Sequence, residues 1–222
     1  MEMCVGYFIT FEGIEGSGKT TQIKLLASHL EILGYQVVMT REPGGCPISD
    51  KIRSILLDAD NHSMRPLTEL FLYAAARAQH VAEVIKPALE SGCIVLCDRF
   101  TDATIAYQSC GRGIEPDTIQ TLNTLACQTV RPDLTVLIDC DPDIGLMRAR
   151  QRIEAASGPR EERFELEALE FHRRVRDGYL SMAMQEPQRF LKIEGSGTID
   201  EIFAVIAEQV QFLLKDDNRG IC

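Results

Sequence analysis

No run of apolar residues in this chain approaches the ~18 that a membrane-spanning helix needs, and the amino terminus, MEMCVGYF, carries no basic leader. The expectation is a soluble cytoplasmic protein with no membrane partner. Paired CxxC spacing is also missing. Eight cysteines are present, several of them in apolar strand-like runs where a thiol acts as a small buried hydrophobe, so neither structural zinc nor a disulfide framework is expected. A basic excess is absent too. The net charge of −10 argues against a sequence-independent grip on nucleic acid, although local arginine groups can still hold a small polyanion. No internal repeat is evident. What remains, 222 residues with 45% hydrophobic content, is enough for one substantial core. We expect one domain over residues 1–215 and a polar tail over 216–222.

The stretch that organises the chain is Phe11 to Thr21, FEGIEGSGKTT, which sets Gly13, Gly18, Lys19 and Thr20 in GxxxxGKT spacing. An apolar run from Val5 leads into it. A helical pattern follows, with Ile23, Leu26, Leu30 and Leu33 on one face. That strand, glycine loop and helix context is what gives the motif meaning. Glycines let successive N–H groups turn inward on a phosphate chain, and the helix start adds its positive dipole end. Lys19 would neutralise phosphate oxygens and the Thr20 hydroxyl would hold magnesium. A tight glycine turn without a ligand is the competing reading.

Further along, Tyr35–Thr40, Cys93–Cys97, Leu134–Asp139 and Phe190–Ile193 read as strands. Between them lie helical patterns at Ile48–Asp58, Leu67–Ser91 (bent at Pro87), Pro116–Val130, Pro142–Arg152, Leu169–Met184 and Ile199–Leu214. Five strands alternating with helices predict a doubly wound five-stranded parallel α/β sheet, with ligands at the carboxyl ends of its strands.

The candidate residues all follow such strands. Asp98, after CIVLC, has the setting of a carboxylate that orients magnesium with Thr20; an Asp capping the next segment is the alternative. Arg41 and Arg99 end two strands and suit a second phosphate group, against the ordinary reading of surface arginines paired with acids. The charged stretch 148–167 holds Arg148, Arg150, Arg152, Arg160 and Arg163 around Gly158 and Pro159, the makeup of a mobile surface lid that brings a cation to the transition state. Its alternative is a solvated helix face. Tyr73 and Arg77, four apart, share a helix face that could read a flat base, although core packing of Tyr73 competes. Thr104, Tyr107 and Gln108 offer donors and acceptors for an opposite wall.

Through FEGIEGSGKTT, TREPGG, YAAARAQH, CDRF, AYQSCGRGI, RPDLTVLID and RARQR, in that order, the sequence resembles bacterial thymidylate kinases over nearly its whole length. The resemblance implies a P-loop nucleoside monophosphate kinase-like fold, with ATP as co-substrate, Mg2+ as cofactor and a homodimer as assembly. It implies ATP binding by Gly13, Ile14, Glu15, Gly16, Ser17, Gly18, Lys19, Thr20 and Thr21, with Arg148 from the lid. Thymidine monophosphate would meet Glu15 at its sugar 3′-hydroxyl, Arg41 and Arg99 at its phosphate, and Tyr73, Arg77, Thr104 and Gln108 at its base. Tyr107 would sit close to the sugar. Lys19, Asp98, Arg99 and Arg152 would carry catalysis, with Arg148 and Arg163 helping. Position 16 is Gly, where one branch of the family carries a catalytic arginine, so this chain looks like the branch whose lid supplies that cation. Tyr73 stands where Phe is more common and Ala103 where Ser is common. The rival readings are a kinase for another nucleoside monophosphate and a nucleotide-dependent switch, and the paired Arg41 and Arg99 argue against the switch.

Overall fold

The computed structural model describes residues 6–155 and 163–216. Five parallel strands, β1 (Tyr7–Glu12), β2 (Val37–Arg41), β3 (Ile94–Asp98), β4 (Leu134–Asp139) and β5 (Phe190–Glu194), lie in the order β2-β3-β1-β4-β5. From β1 the chain runs outward to the β2 edge, whereas from β3 it crosses to β4 on the other side. The two connections part at the carboxyl ends of β1 and β3, where such folds leave a crevice. Register sharpens this: Asp98 is abreast of Phe11 on one side and of Arg41 on the other. Three of the expected site segments therefore leave the sheet at the same level.

Alternation along the strands divides the core into two layers. Tyr7, Ile9 and Phe11 pack with Ile94, Leu96, Val136 and Ile138 under α1 (Lys19–Ile32) and α9 (Ile199–Asp216). On the opposite face stand α2 (Pro47–Leu57), α3 (Pro66–His80), α4 (Lys86–Glu90), α5 (Thr101–Thr104), α6 (Pro116–Cys127) and α8 (Leu169–Gln185). Phe8, Val95 and Cys97 pack there against Val81, Ile85 and Phe100. α7 (Pro142–Ala155) extends from the end of β4.

The long helix expected over Leu67–Ser91 is interrupted rather than bent at Pro87. Residues Val81–Ile85 form a π-helical stretch between α3 and α4, and Lys86 N donates to Val81 O, five residues back. Pro87 has no N–H and crowds the carbonyl four residues earlier, which accounts for the widened turn. A second π-helical stretch, Ile105–Gly111, extends α5 and carries Tyr107 and Gln108. The expected surface lid is also corrected in part: α7 continues to Ala155, and Arg163, Phe164 and Glu165 are buried. Arg163 forms a 2.6 Å ion pair with Glu69 of α3, which pins that end of the stretch to the body. Arg160 and the segment around Gly158 lie outside the described residues, as do the first five residues and 217–222.

One layer carries a polar strip. Thr10 Oγ1 lies 2.9 Å from Thr135 Oγ1, and Thr135 Oγ1 in turn donates to Asp102 Oδ2 at 3.2 Å. Arg189 grips both Asp102 oxygens in a fork, at 2.7 and 3.0 Å. Asp102 is 2% exposed, so Arg189 supplies in place of water the donors its two oxygens need. Arg189→Met is expected to lower the unfolding free energy by about 3 kcal/mol in urea titration, because it strands a buried carboxylate. A second change, Asp102→Asn, should recover part of the loss; a single variant as stable as the wild type would remove this role.

Candidate active site

A cleft of about 1520 Å³ opens at the carboxyl ends of β1, β2 and β3. Its lining includes Glu15, Gly16, Ser17, Gly18, Lys19, Thr20, Thr21, Arg41, Tyr73, Arg77, Asp98, Arg99, Thr104, Tyr107, Gln108 and Arg148. The glycine loop forms its floor. Gly13, Gly16 and Gly18 take φ values of +132°, +68° and +100°, a region closed to most side chains. Gly16 has a second reason to be glycine. A Cβ there would sit 2.0 Å from the carbonyl oxygen of Gly145, so the root of α7 is pressed against the loop, backbone to backbone.

Lys19 folds back over the loop and donates from Nζ to the carbonyls of Gly13 (3.0 Å) and Ile14 (2.9 Å) and to Ser17 Oγ (3.3 Å). Burial and the nearby Arg99 push its pKa down to about 8, against the pull of Asp98, Glu15 and Glu12. Thr20 Oγ1 donates to Asp98 Oδ2 at 2.9 Å, joining the first residues of α1 to the end of β3.

Arg99 leaves β3 with φ +70°, a left-handed backbone rare for a non-glycine residue. Its N–H is held by Phe11 O at 3.0 Å, and the side chain points back over the loop. Nη1 donates to Gly13 O (2.9 Å) and to Tyr179 Oη (3.2 Å), and Nη2 donates to Glu15 Oε1 (3.0 Å). The guanidinium lies 4.9 Å from the Tyr107 ring centre, and Tyr107 Oη also donates to Glu15 Oε1. Arg41 sits differently. It is exposed at the end of β2 and pairs with Asp50 at 3.0 Å.

The TREPGG and YAAARAQH strings meet in space. Glu42, buried, accepts from Arg77 Nε at 2.7 Å and lies 3.0 Å from His80 Nδ1, while Thr40 Oγ1 closes the cluster on His80 Nε2 at 2.6 Å. Arg77 further donates to Asn123 Oδ1, Phe100 O and Thr104 Oγ1, so four of its five N–H hydrogens are engaged. Tyr73 is half-buried at the same wall, and burial raises its phenol pKa. Gln108 donates to Glu69 at 3.0 Å.

This arrangement has counterparts among known proteins. Residues 11–206 match the family model described as thymidylate kinase. The chain belongs to the thymidylate kinase family. It is 73% identical to a thymidylate kinase of Pelobacter propionicus, across 98% of this chain and 100% of that one. A thymidylate kinase of Geotalea uraniireducens is 63% identical, across 93% of this chain and 97% of that one. Among solved structures, thymidylate kinase from Ehrlichia chaffeensis shares 40% identity and a TM-score of 0.74, covering 94% of this chain and 99% of its own. The resemblance to thymidylate kinases drawn from the motifs, and the doubly wound five-stranded fold, both hold.

The site leans on residues beyond the candidates named from the thymidylate kinase motifs, and one of them, Glu12, lies inside the FEGIEGSGKTT string itself. Glu12, at the end of β1, accepts from Phe100 N (2.7 Å) and from Tyr179 Oη (2.7 Å), and it is fully buried. Burial, with Asp102 adding, raises its carboxyl pKa to about 8. His172 and Tyr179, seven apart on one face of α8, face Glu15 and Arg99. Glu69 gathers Arg112, Arg163 and Gln108. A buried polar pair at helical spacing in α8 was the available signal, and it looks like any amphipathic helix until its partners are known. Among the lid arginines, Arg148 lines the cleft, Arg150 donates to Glu165 O, and Arg163 is committed to Glu69. Arg152 lies on α7, and its side chain is outside the described residues.

Two outcomes follow from this geometry. Lys19→Ala should cut turnover by at least ~1,000-fold while the circular dichroism spectrum and melting stay close to wild type, since its bonds serve the loop's charge rather than the core. A carboxyl whose pKa is raised by folding contributes stability below its unfolded value that is lost as pH rises through the folded value. Wild-type stability relative to Glu12→Gln should therefore fall as pH rises from 4.5 to about 8, read as the difference in urea unfolding free energy. A difference independent of pH would show that Glu12 titrates normally.

Proposed function

We propose that the cleft binds ATP on the glycine loop and thymidine monophosphate between α3 and the Arg99–Gln108 segment, with direct transfer between them. The activity is that of the family, ATP-dependent phosphorylation of thymidine monophosphate to the diphosphate. The observation that carries the assignment of sides is the meeting of Lys19 and Arg99 at one acceptor, the carbonyl of Gly13. One cation belongs to the phosphate loop and the other to the end of the neighbouring strand. Two anionic groups bound on them would face each other in line across that carbonyl, the geometry phosphoryl transfer requires.

In this reading the loop N–H groups of residues 13–18 and Lys19 hold the β- and γ-phosphates of ATP. Arg99 and Arg41 hold the acceptor phosphate; a monophosphate arriving at Arg99 replaces interactions now made to Gly13 and Glu15. Glu15 accepts from the sugar 3′-hydroxyl, Tyr107 packs beside the sugar, and Tyr73 stacks on the base. Arg77, fixed by Glu42, Asn123, Phe100 and Thr104, has one N–H hydrogen left for a base oxygen, and Gln108 flanks it. Transition-state charge is met by Lys19, by Arg99 and by α7 arginines, with Arg152 as the catalytic cation and Arg148 on the ATP side. The Thr20 hydroxyl and Asp98 carboxylate, 2.9 Å apart, are hard oxygen donors of the kind magnesium takes when phosphates and waters complete its shell. Mg2+ held there would draw charge from the phosphate oxygens. The homodimer is supported by apolar side chains left exposed on the packed pair α3 and α6, namely Leu67, Phe71 and Leu125. A reducing, cytoplasmic setting is supported by six free cysteines among the described residues, five of them buried.

A panel of nucleoside monophosphates with ATP tests the acceptor: thymidine monophosphate should react at least ~100-fold faster than uridine monophosphate in kcat/KM. Equal rates would overturn the base and sugar assignments. Calorimetry with thymidine monophosphate in the absence of ATP should show binding that Arg99→Met weakens by roughly 100-fold, because a charge-assisted fork is lost.

A further inference from the structure

The two oxygens of Glu15 live in different company. Oε1 accepts from Tyr107 Oη and Arg99 Nη2. Oε2 is buried and has no hydrogen-bond partner among the described residues, and the same holds for Nδ1 of His172. These two atoms lie 3.3 Å apart. Two orphaned polar atoms, aimed at each other inside the protein, call for a common explanation.

The other ring nitrogen supplies it. His172 Nε2 lies 3.0 Å from the carbonyl oxygen of Phe164, which can only accept, so Nε2 must carry a hydrogen. A neutral ring would then present a bare lone pair at Nδ1 to a carboxylate oxygen. With the ring 0% exposed, neither acceptor could turn to solvent for a donor, and the contact would be repulsive. One proton between them removes the conflict. The ring is the better seat for it, because Arg99, His172 and Tyr107 together hold the Glu15 carboxyl well below its ordinary range despite the opposing effect of burial. An imidazolium also leaves Glu15, Arg99 and His172 with one net positive charge, which suits an approaching dianionic monophosphate.

We propose that His172 is a positioning residue for acceptor binding: as an imidazolium it clamps Oε2 of Glu15 and ties that carboxylate, through Phe164, to the chain returning from the lid. The function rests on the assignment of Glu15 to the sugar 3′-hydroxyl, whereas the position of the proton does not. In this arrangement α8 sets the orientation of a loop residue more than 150 positions away, and Glu15 can lean toward a sugar hydroxyl without losing its second support.

Two measurements separate the parts. In the full-length ligand-free protein labelled with 15N-histidine, at about pH 8, where an unperturbed imidazole is neutral, His172 should show hydrogens on both ring nitrogens. In Glu15→Gln it should revert to one hydrogen, on Nε2. A neutral His172 in the wild type overturns the proposal. In steady-state kinetics, His172→Phe should raise KM for thymidine monophosphate about tenfold, with KM for ATP within about twofold of wild type. With 3′-deoxythymidine monophosphate as acceptor the penalty should largely vanish. The same penalty on both acceptors overturns the positioning role, since a general packing defect would not distinguish them. If Glu15→Gln discriminates between the two acceptors as well as wild type does, the sugar assignment falls while the proton on His172 stands.

Discussion

The carbonyl oxygen of Gly13 accepts hydrogen bonds from two cations at once, Lys19 from the first helix and Arg99 from the end of the third strand. Placing two positive charges so close inside a protein of net charge −10 is costly, and much of the surrounding structure answers to that cost. Glu15 and the Tyr107 ring bracket Arg99, Tyr179 accepts from it, and Asp98 stands abreast of the loop. Lys19 gives all three of its hydrogens to the loop itself. The sheet makes the meeting possible because β1 and β3 are neighbours that lead their chains to opposite sides, leaving the space above their ends to whatever the loops present.

How much of this could be read in advance depended on whether a feature is local in the chain. The glycine loop, the strand ends at Arg41 and Asp98, and the order of strands and helices are written in short strings, and they stand where the strings place them. Glu42 shows the next grade of difficulty: it lies within the TREPGG string, but its partners Arg77 and His80 are 35 and 38 residues away. Glu12 also lies inside a recognisable string, yet its partners Phe100 and Tyr179 are 88 and 167 residues away, and His172 and Tyr179 carry no mark beyond a helical spacing. Glu12 ends an apolar strand, and α8 has the periodicity of an ordinary surface helix. Their roles come from tertiary neighbours and so could not be read from spacing. Arg163 shows the converse, a charge that looked available in a run of charges and is committed to a buried partner.

The wall we propose for the acceptor is held in place by the protein's own hydrogen bonds. Glu42, Asn123, Phe100 and Thr104 hold Arg77 from four directions, and Glu69 collects Gln108, Arg112 and Arg163 behind it. A guanidinium held this way has little rotamer freedom left to lose, so recognition of a base there would cost less entropy than with a free surface arginine. It also couples the wall to the end of the lid stretch, since Arg163 and Arg112 share one carboxylate.

The backbone contact between Gly16 and Gly145 bears on how such a site can change over evolutionary time. A side chain at position 16 cannot be added while α7 stays where it is, and α7 is the helix that carries Arg148 and Arg152, the cations we propose for the lid side of the reaction. Moving the catalytic cation from lid to loop thus requires the helix root to shift first, or together with the substitution. The path between the two arrangements runs through a coordinated change at two positions about 130 residues apart, and single-step mutants along it should be poorer than either end.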